Sequence, residues 1–191
     1  YDPAVKSGLA TVAGQLMNYG VKSNAGLLTE AQIADEIADL GANLTISVGG
    51  ERAVMRVRTL SRKDLRDRAV QLASAMLSAP TYDAKILVRE KQRMTTALLE
   101  SDTKPESVLD RRFRKAVYGD YPLANSTSAQ SIANINATDL KQFHKQFYRG
   151  DRMIVSIVGD VSKAEAAEII QSLLQKVPQS GPPIAKLPEF N

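Results

Sequence analysis

The chain carries one histidine, His144, and no cysteine. A catalytic zinc site usually takes three protein ligands, commonly with two imidazoles among them, so this composition does not furnish a mononuclear zinc centre. A Ser–His–Asp triad would have to use His144, and no Gly-x-Ser-x-Gly elbow is present to offer the serine. His144 lies in Lys141-Gln142-Phe143-His144-Lys145-Gln146-Phe147, a setting that reads as a helix surface or an interface. Carboxylates are plentiful, as in Asp35, Glu36 and Asp39, or Glu100 and Asp102. Their spacing suits solvated helix faces and caps, and no loop pattern for a hard cation accompanies them. Gly41, Gly49 and Gly50 match neither the dinucleotide nor the P-loop spacing. Arg111, Arg112, Arg114 and Lys115 form the densest basic cluster, around Phe113. With no stacking platform of several aromatics it reads as a solvated helix face and not as a nucleic-acid site. Taken by themselves, the residues offer no catalytic constellation.

The scaffold that must hold them is of ordinary composition. A chain of 191 residues, 43% apolar and 24% charged, can enclose one sizeable core or two small ones. The formal charge of +4 is weak support for an anionic partner. No apolar run approaches the ~20 residues of a membrane span. Absence of cysteine excludes disulfides and leaves the compartment open. The chain begins at Tyr1 with no recognisable signal peptide, so a fragment or processed product is expected, with strands or an address upstream.

Leu9, Val12, Ala13 and Leu16 recur at helical spacing and predict a first helix over residues 4–19, stopped by Gly20. Thr29 and Gln32 form a capping box for a second helix with Ile33, Ile37 and Leu40 on one face and Gly41 at its end. Leu44, Ile46 and Val48, then Gly49-Gly50, then Ala53, Met55, Val57 and Thr59 predict a hairpin with Arg52, Arg56 and Arg58 on its wetter face. Ser61 is expected to cap a helix that ends before Pro80, and a long helix follows over 83–100. Thr103 with Glu106 predicts a further box, for a helix reaching Val117. Helices near 128–134 and over 138–148 precede Met153, Ile154, Val155, Ile157 and Val158, which read as a buried strand. Ser162 and Glu165 cap a closing helix. Residues 178–191, rich in proline, read as a linker. No internal repeat appears. The expected class is α+β, with helices packed on a mostly antiparallel sheet.

The order of these elements resembles the pitrilysin/insulinase (M16) metallopeptidases. The stretch Ser7-Gly8-Leu9-Ala10-Thr11-Val12-Ala13-Gly14-Gln15-Leu16-Met17-Asn18-Tyr19-Gly20 is similar to the family's opening helix. Active members carry His-x-x-Glu-His there. Positions i, i+3 and i+4 share a helix face, so the two histidines hold zinc while the glutamate acts as base on its water. In register, this chain has Thr11, Gly14 and Gln15. Ser78-Ala79-Pro80 and the long helix after it resemble the segment with the third ligand, a glutamate. Counting from either side puts that position between Gln92 and Ala97, neither a carboxylate, with Glu90 and Glu100 flanking. Tyr118-Gly119-Asp120-Tyr121-Pro122 resembles a family loop without its histidine, and Ile154-Val155-Ser156-Ile157-Val158-Gly159-Asp160-Val161 resembles the family's strand ending in Val-Gly-Asp.

The resemblance implies a two-layer α/β M16 domain over residues 1–177, lacking its first strands, with 178–191 leading to a second domain. It implies a non-catalytic role with no metal of its own and zinc only in an active partner. The expected function is the wall of a chamber formed with a zinc-bearing M16 subunit or a second M16-like domain. There the chain would help hold an extended peptide along a sheet edge, with Thr11, Gln15 and Asn18 as a polar wall. Two alternatives stand beside it. The active zinc domain could lie elsewhere in the same polypeptide, or the chain could be a structural scaffold without a part in proteolysis. Neither a nucleic-acid partner nor a membrane span is expected. The resemblance suggests a bacterial periplasmic or envelope setting.

Overall fold

The computed structural model of the chain describes residues 2–24, 26–49, 51–186 and 188–189. The expected single helix over 4–19 is divided. A 3-10 turn, Ala4–Lys6, precedes α1 over Leu9–Leu16. The break falls at Gly8, whose φ of +100° no helix accommodates; a Cβ there would also lie 2.9 Å from the Thr127 methyl. Asp2 caps α1 from outside, its carboxylate accepting from the Gly8 and Ala10 N–H groups at 2.8 and 3.0 Å. Val12, Ala13 and Leu16 then enter the core.

A hairpin of β1 (Gly20–Ser23) and β2 (Gly26–Thr29) follows, which periodicity does not predict. Only Gly20 and Val21 of it are buried, so no alternation is there to read. The box at Thr29 opens α2 (Glu30–Asp39) as expected. Beyond it, β3 (Asn43–Gly49) pairs antiparallel with β4 (Arg52–Arg58), Leu44 opposite Val57 and Ile46 opposite Met55. Leu44 and Ile46 are buried while the three strand arginines are exposed. Gly50 of the expected turn lies outside the described residues.

Two predicted caps are corrected. The helix α3 (Lys63–Ser78) takes Arg62 at its N-cap, not Ser61, with no side-chain cap. After α4 (Ala84–Ser101), capped by Asp83, the helix α5 (Pro105–Tyr118) starts from Lys104 and not from Thr103. Pro105 fills the first helical position, where a missing N–H costs nothing, and Thr103 instead donates its hydroxyl to the Glu100 carbonyl at 2.7 Å. The remaining helices are α6 (Ala129–Ala133), α7 (Ala137–Phe147) and α8 (Lys163–Leu174). The core lies around α1, which packs on β3 and α7, and around α3, which packs on β1 and α8, and it includes Met76, Leu140 and Ile135.

The expected buried strand at 153–158 is also corrected. The segment pairs with no strand among the described residues, and Ile154 and Val158 are 96% and 99% exposed. Met153, Val155 and Ile157 are half-buried. Its two-sided apolar character belongs to a strand flanked by others, and no described neighbour covers its outer face. The α+β class holds, with helices over small antiparallel sheets.

Candidate functional site

Helix α1 sits against β3, α4 and α7, and so gathers one residue set from four elements. Thr11 and Gln15 are half-buried, one turn apart, on a shared face. Between them Gly14 is buried so tightly that a Cβ would lie 2.1 Å from the Val48 Cγ2 and 3.1 Å from the Tyr148 hydroxyl. Contacts under 3 Å of this kind force a neighbour to move, so the Val48 side chain occupies the room that a longer residue at 14 would need.

Asn18 does not face outward with them. Its carboxamide donates to the Gly14, Gln15 and Ile46 carbonyls, at 3.0 Å for the last, and accepts from the Ile46 N–H at 2.9 Å. The expected polar wall of Thr11, Gln15 and Asn18 is thus corrected: Asn18 closes part of the β3 edge.

On α4, Gln92 and Ala97 are exposed. The buried carboxylate of α4 is Glu90, 2% exposed. It accepts from Arg89 Nε at 3.0 Å and Arg93 Nε at 2.7 Å. Arg93 Nη2 lies 3.5 Å from the Gln15 Oε1, and Arg89 reaches on to Glu30 at 2.7 Å and stacks over Tyr19. Bonding to Glu30 and Glu90 drives the Arg89 guanidinium above its ordinary range, and bonding to Glu90 does the same for Arg93. Glu30, Arg89, Glu90, Arg93 and Gln15 therefore form one chain of charge and hydrogen bonds joining α2, α4 and α1. A buried carboxylate needs this: left unpaired it would cost several kcal/mol. In the sequence Glu90 stands only as a flanking carboxylate; Arg89 and Arg93, beside it and three residues after it on a helix, are the signal of its pairing.

His144 faces inward and not to the helix surface. Its Nε2 donates to the Leu77 carbonyl at 2.8 Å, and its ring stacks on Tyr148 and meets Tyr82 edge-on. Burial lowers its pKa, the Leu77 carbonyl opposing, and burial pushes Tyr148 up to about 12. The ring is a packed structural group, and among the described residues no carboxylate bonds to it to orient it as a base. Among the described residues, no group of three or more His, Cys, Asp or Glu side chains is placed to hold a metal ion. No helix among them is long and apolar enough to cross a membrane.

A family model described as the peptidase M16 inactive domain matches residues 134–191. The crystal structure of a peptidase M16 inactive domain from Pseudomonas fluorescens superimposes with a TM-score of 0.89 at 29% identity, over 97% of this chain and 44% of that one. The chain resembles the peptidase M16 family along its length, and residues 134–191 match that family's inactive domain. A non-peptidase homologue from Helicobacter pylori is 23% identical over 174 residues, 90% of this chain and 39% of that protein. The periplasmic protease PqqL from Escherichia coli shares the fold, with a TM-score of 0.76 at 20% identity, covering 97% of this chain and 20% of its own. The chain spans 32% to 40% of the length of the first curated relatives it matches.

Proposed function

We propose that this M16 domain is the non-catalytic half of a peptidase assembly, walling a chamber beside a zinc-bearing M16 subunit or domain and helping to hold an extended peptide there. The observation that carries the reading is the closure around Gly14. The position that resemblance gives to the catalytic base is filled by Val48 and Tyr148, and the nearby carboxylate Glu90 is already neutralised by Arg89 and Arg93. Thr11 and Gln15 are weak metal ligands at best. Strand addition along β3 requires the Asn18 carboxamide to leave Ile46, so Asn18 sets part of the cost of peptide access. The periplasmic relative supports an envelope location.

The test is a pull-down of the natural polypeptide with metal analysis and peptide turnover on what is captured. One zinc per assembly, none of it held by this domain, with turnover dependent on the captured partner, is the expected result. A tight zinc bound against α1 would overturn the proposal. A variant of the reading is favoured by the short span of the match: the zinc-bearing domain would lie in the same polypeptide. A His-x-x-Glu-His motif elsewhere in that polypeptide would select it.

A further inference from the structure

The segment after α8 folds back on the body. Gly150 donates its N–H to the Pro178 carbonyl at 2.8 Å and Asp151 to the Gln179 carbonyl at 3.2 Å. Arg149, 5% exposed, donates Nη1 to the Pro182 carbonyl at 2.9 Å while its Nε lies 3.1 Å from the Asp151 carboxylate. Glycine allows both close approaches: a Cβ at Gly181 would meet Arg149 Nη1 at 2.5 Å, and one at Gly150 would meet the Gln179 side chain at 2.7 Å. Farther along, Ile184 and Ala185 form one wall of a cavity of about 350 Å3 whose other walls include Leu9, Phe143 and Phe147, with Lys6 and Asp139 also lining it. Lys6 and Asp139 are ion-paired at 2.6 Å.

From these contacts we infer that residues 178–185 form a docked strap of the same chain, residues 178–182 seated on Arg149–Asp151 and Ile184 with Ala185 closing one side of the groove between the N-terminal segment and α7. The driving force is twofold. A buried guanidinium must have its donors satisfied, and the Pro182 carbonyl supplies one acceptor. The apolar side chain at 184 faces the same groove as Leu9, Phe143 and Phe147, so keeping it there holds apolar surface out of bulk water. The family match running from 134 to 191 takes in this segment together with its seat on α7.

Hydrogen exchange and limited trypsin digestion of the full chain test this. Arg149→Ala and Gly181→Ala should each raise exchange at the Gly150 and Asp151 amides at least tenfold and hasten cleavage after Lys176, with the Val12 and Leu16 amides keeping wild-type protection. Gly181 is exposed, so Gly181→Ala carries the test even if Arg149→Ala fails to fold. Ile184→Asp should open the groove to a fluorescent apolar dye that the wild type does not bind. Gly150 and Asp151 amides that exchange at the free-chain rate in the wild type, or that are unmoved in both variants, would overturn the inference. Equal dye binding by wild type and Ile184→Asp would overturn the assignment of the groove.

Discussion

The Asn18 carboxamide pairs with both backbone groups of Ile46, accepting from its N–H at 2.9 Å and donating to its carbonyl at 3.0 Å. One side chain thereby does for the β3 edge what an adjacent strand residue would do, and it ties the end of α1 to the sheet. Asn18→Ala strands two backbone groups beside buried surface and should cost about 2 kcal/mol. Urea unfolding reads this as a lower midpoint at unchanged slope; a midpoint within error of wild type would contradict the role given to Asn18.

Gly14→Glu should destabilise the domain by about 3 kcal/mol, because the new side chain meets Val48 before it can reach solvent. Val48→Ala in the same chain should recover part of that loss, a coupling that a double-mutant cycle measures. Adding His at Thr11 and Gln15 should yield no peptide turnover, since the Gly14 position is closed and Arg93 holds Glu90. Strict additivity of the two substitutions would show that Val48 is not the obstacle.

The His144 imidazole sits below its ordinary value of 6.5 through burial. The unfolded chain therefore takes up a proton before the folded chain does as pH falls. Stability from the neutral ring is complete above pH 6.5 and is lost as acidity passes through the lower folded-state value. Urea midpoints between pH 8 and 5 should decline more steeply for wild type than for His144→Gln; parallel curves would refute the assignment.

Helix α5 has no buried residue, and its Phe113 is 63% exposed. Phe113→Ser should shift stability by less than ~0.5 kcal/mol, whereas Leu140→Ala, in the core, should cost roughly 2–5 kcal/mol. A large loss at Phe113 in thermal melts would mean that the stripe of Leu109, Phe113 and Val117 is packed in solution.

Exposed Ile154 and Val158 lie on an unpaired, uncharged, β-prone segment, the kind that pairs edge to edge between molecules. Ile154→Lys should lower self-association in light scattering without moving the melting point. Unchanged scattering would indicate that the segment is shielded.

Local chemistry was the legible part of the fold. Boxes at Thr29 and Ser162, and the register of β3 on β4, depend on residues a few positions apart, and they stand where spacing puts them. Ser61 and Thr103 show the limit, since a neighbouring Arg62 or Pro105 takes over the helix start. The site was legible only as a deficit at Thr11, Gly14 and Gln15. Val48 against Gly14, Asn18 on Ile46 and Arg93 between Glu90 and Gln15 are contacts between distant parts of the chain, and no periodicity encodes them. Residues 153–158 carry the pattern of a central strand, which reports the neighbours a segment is suited to and not whether they are present.

The run from Glu30 through Arg89, Glu90 and Arg93 to Gln15 has a bearing on durability. The joint between three elements draws on cations that belong to the polypeptide and cannot be exchanged with the medium. Scarcity of trace elements leaves it intact, and salt acts on it unevenly: the half-exposed Arg89–Glu30 end is screened, while Glu90, hidden from water, is reached less.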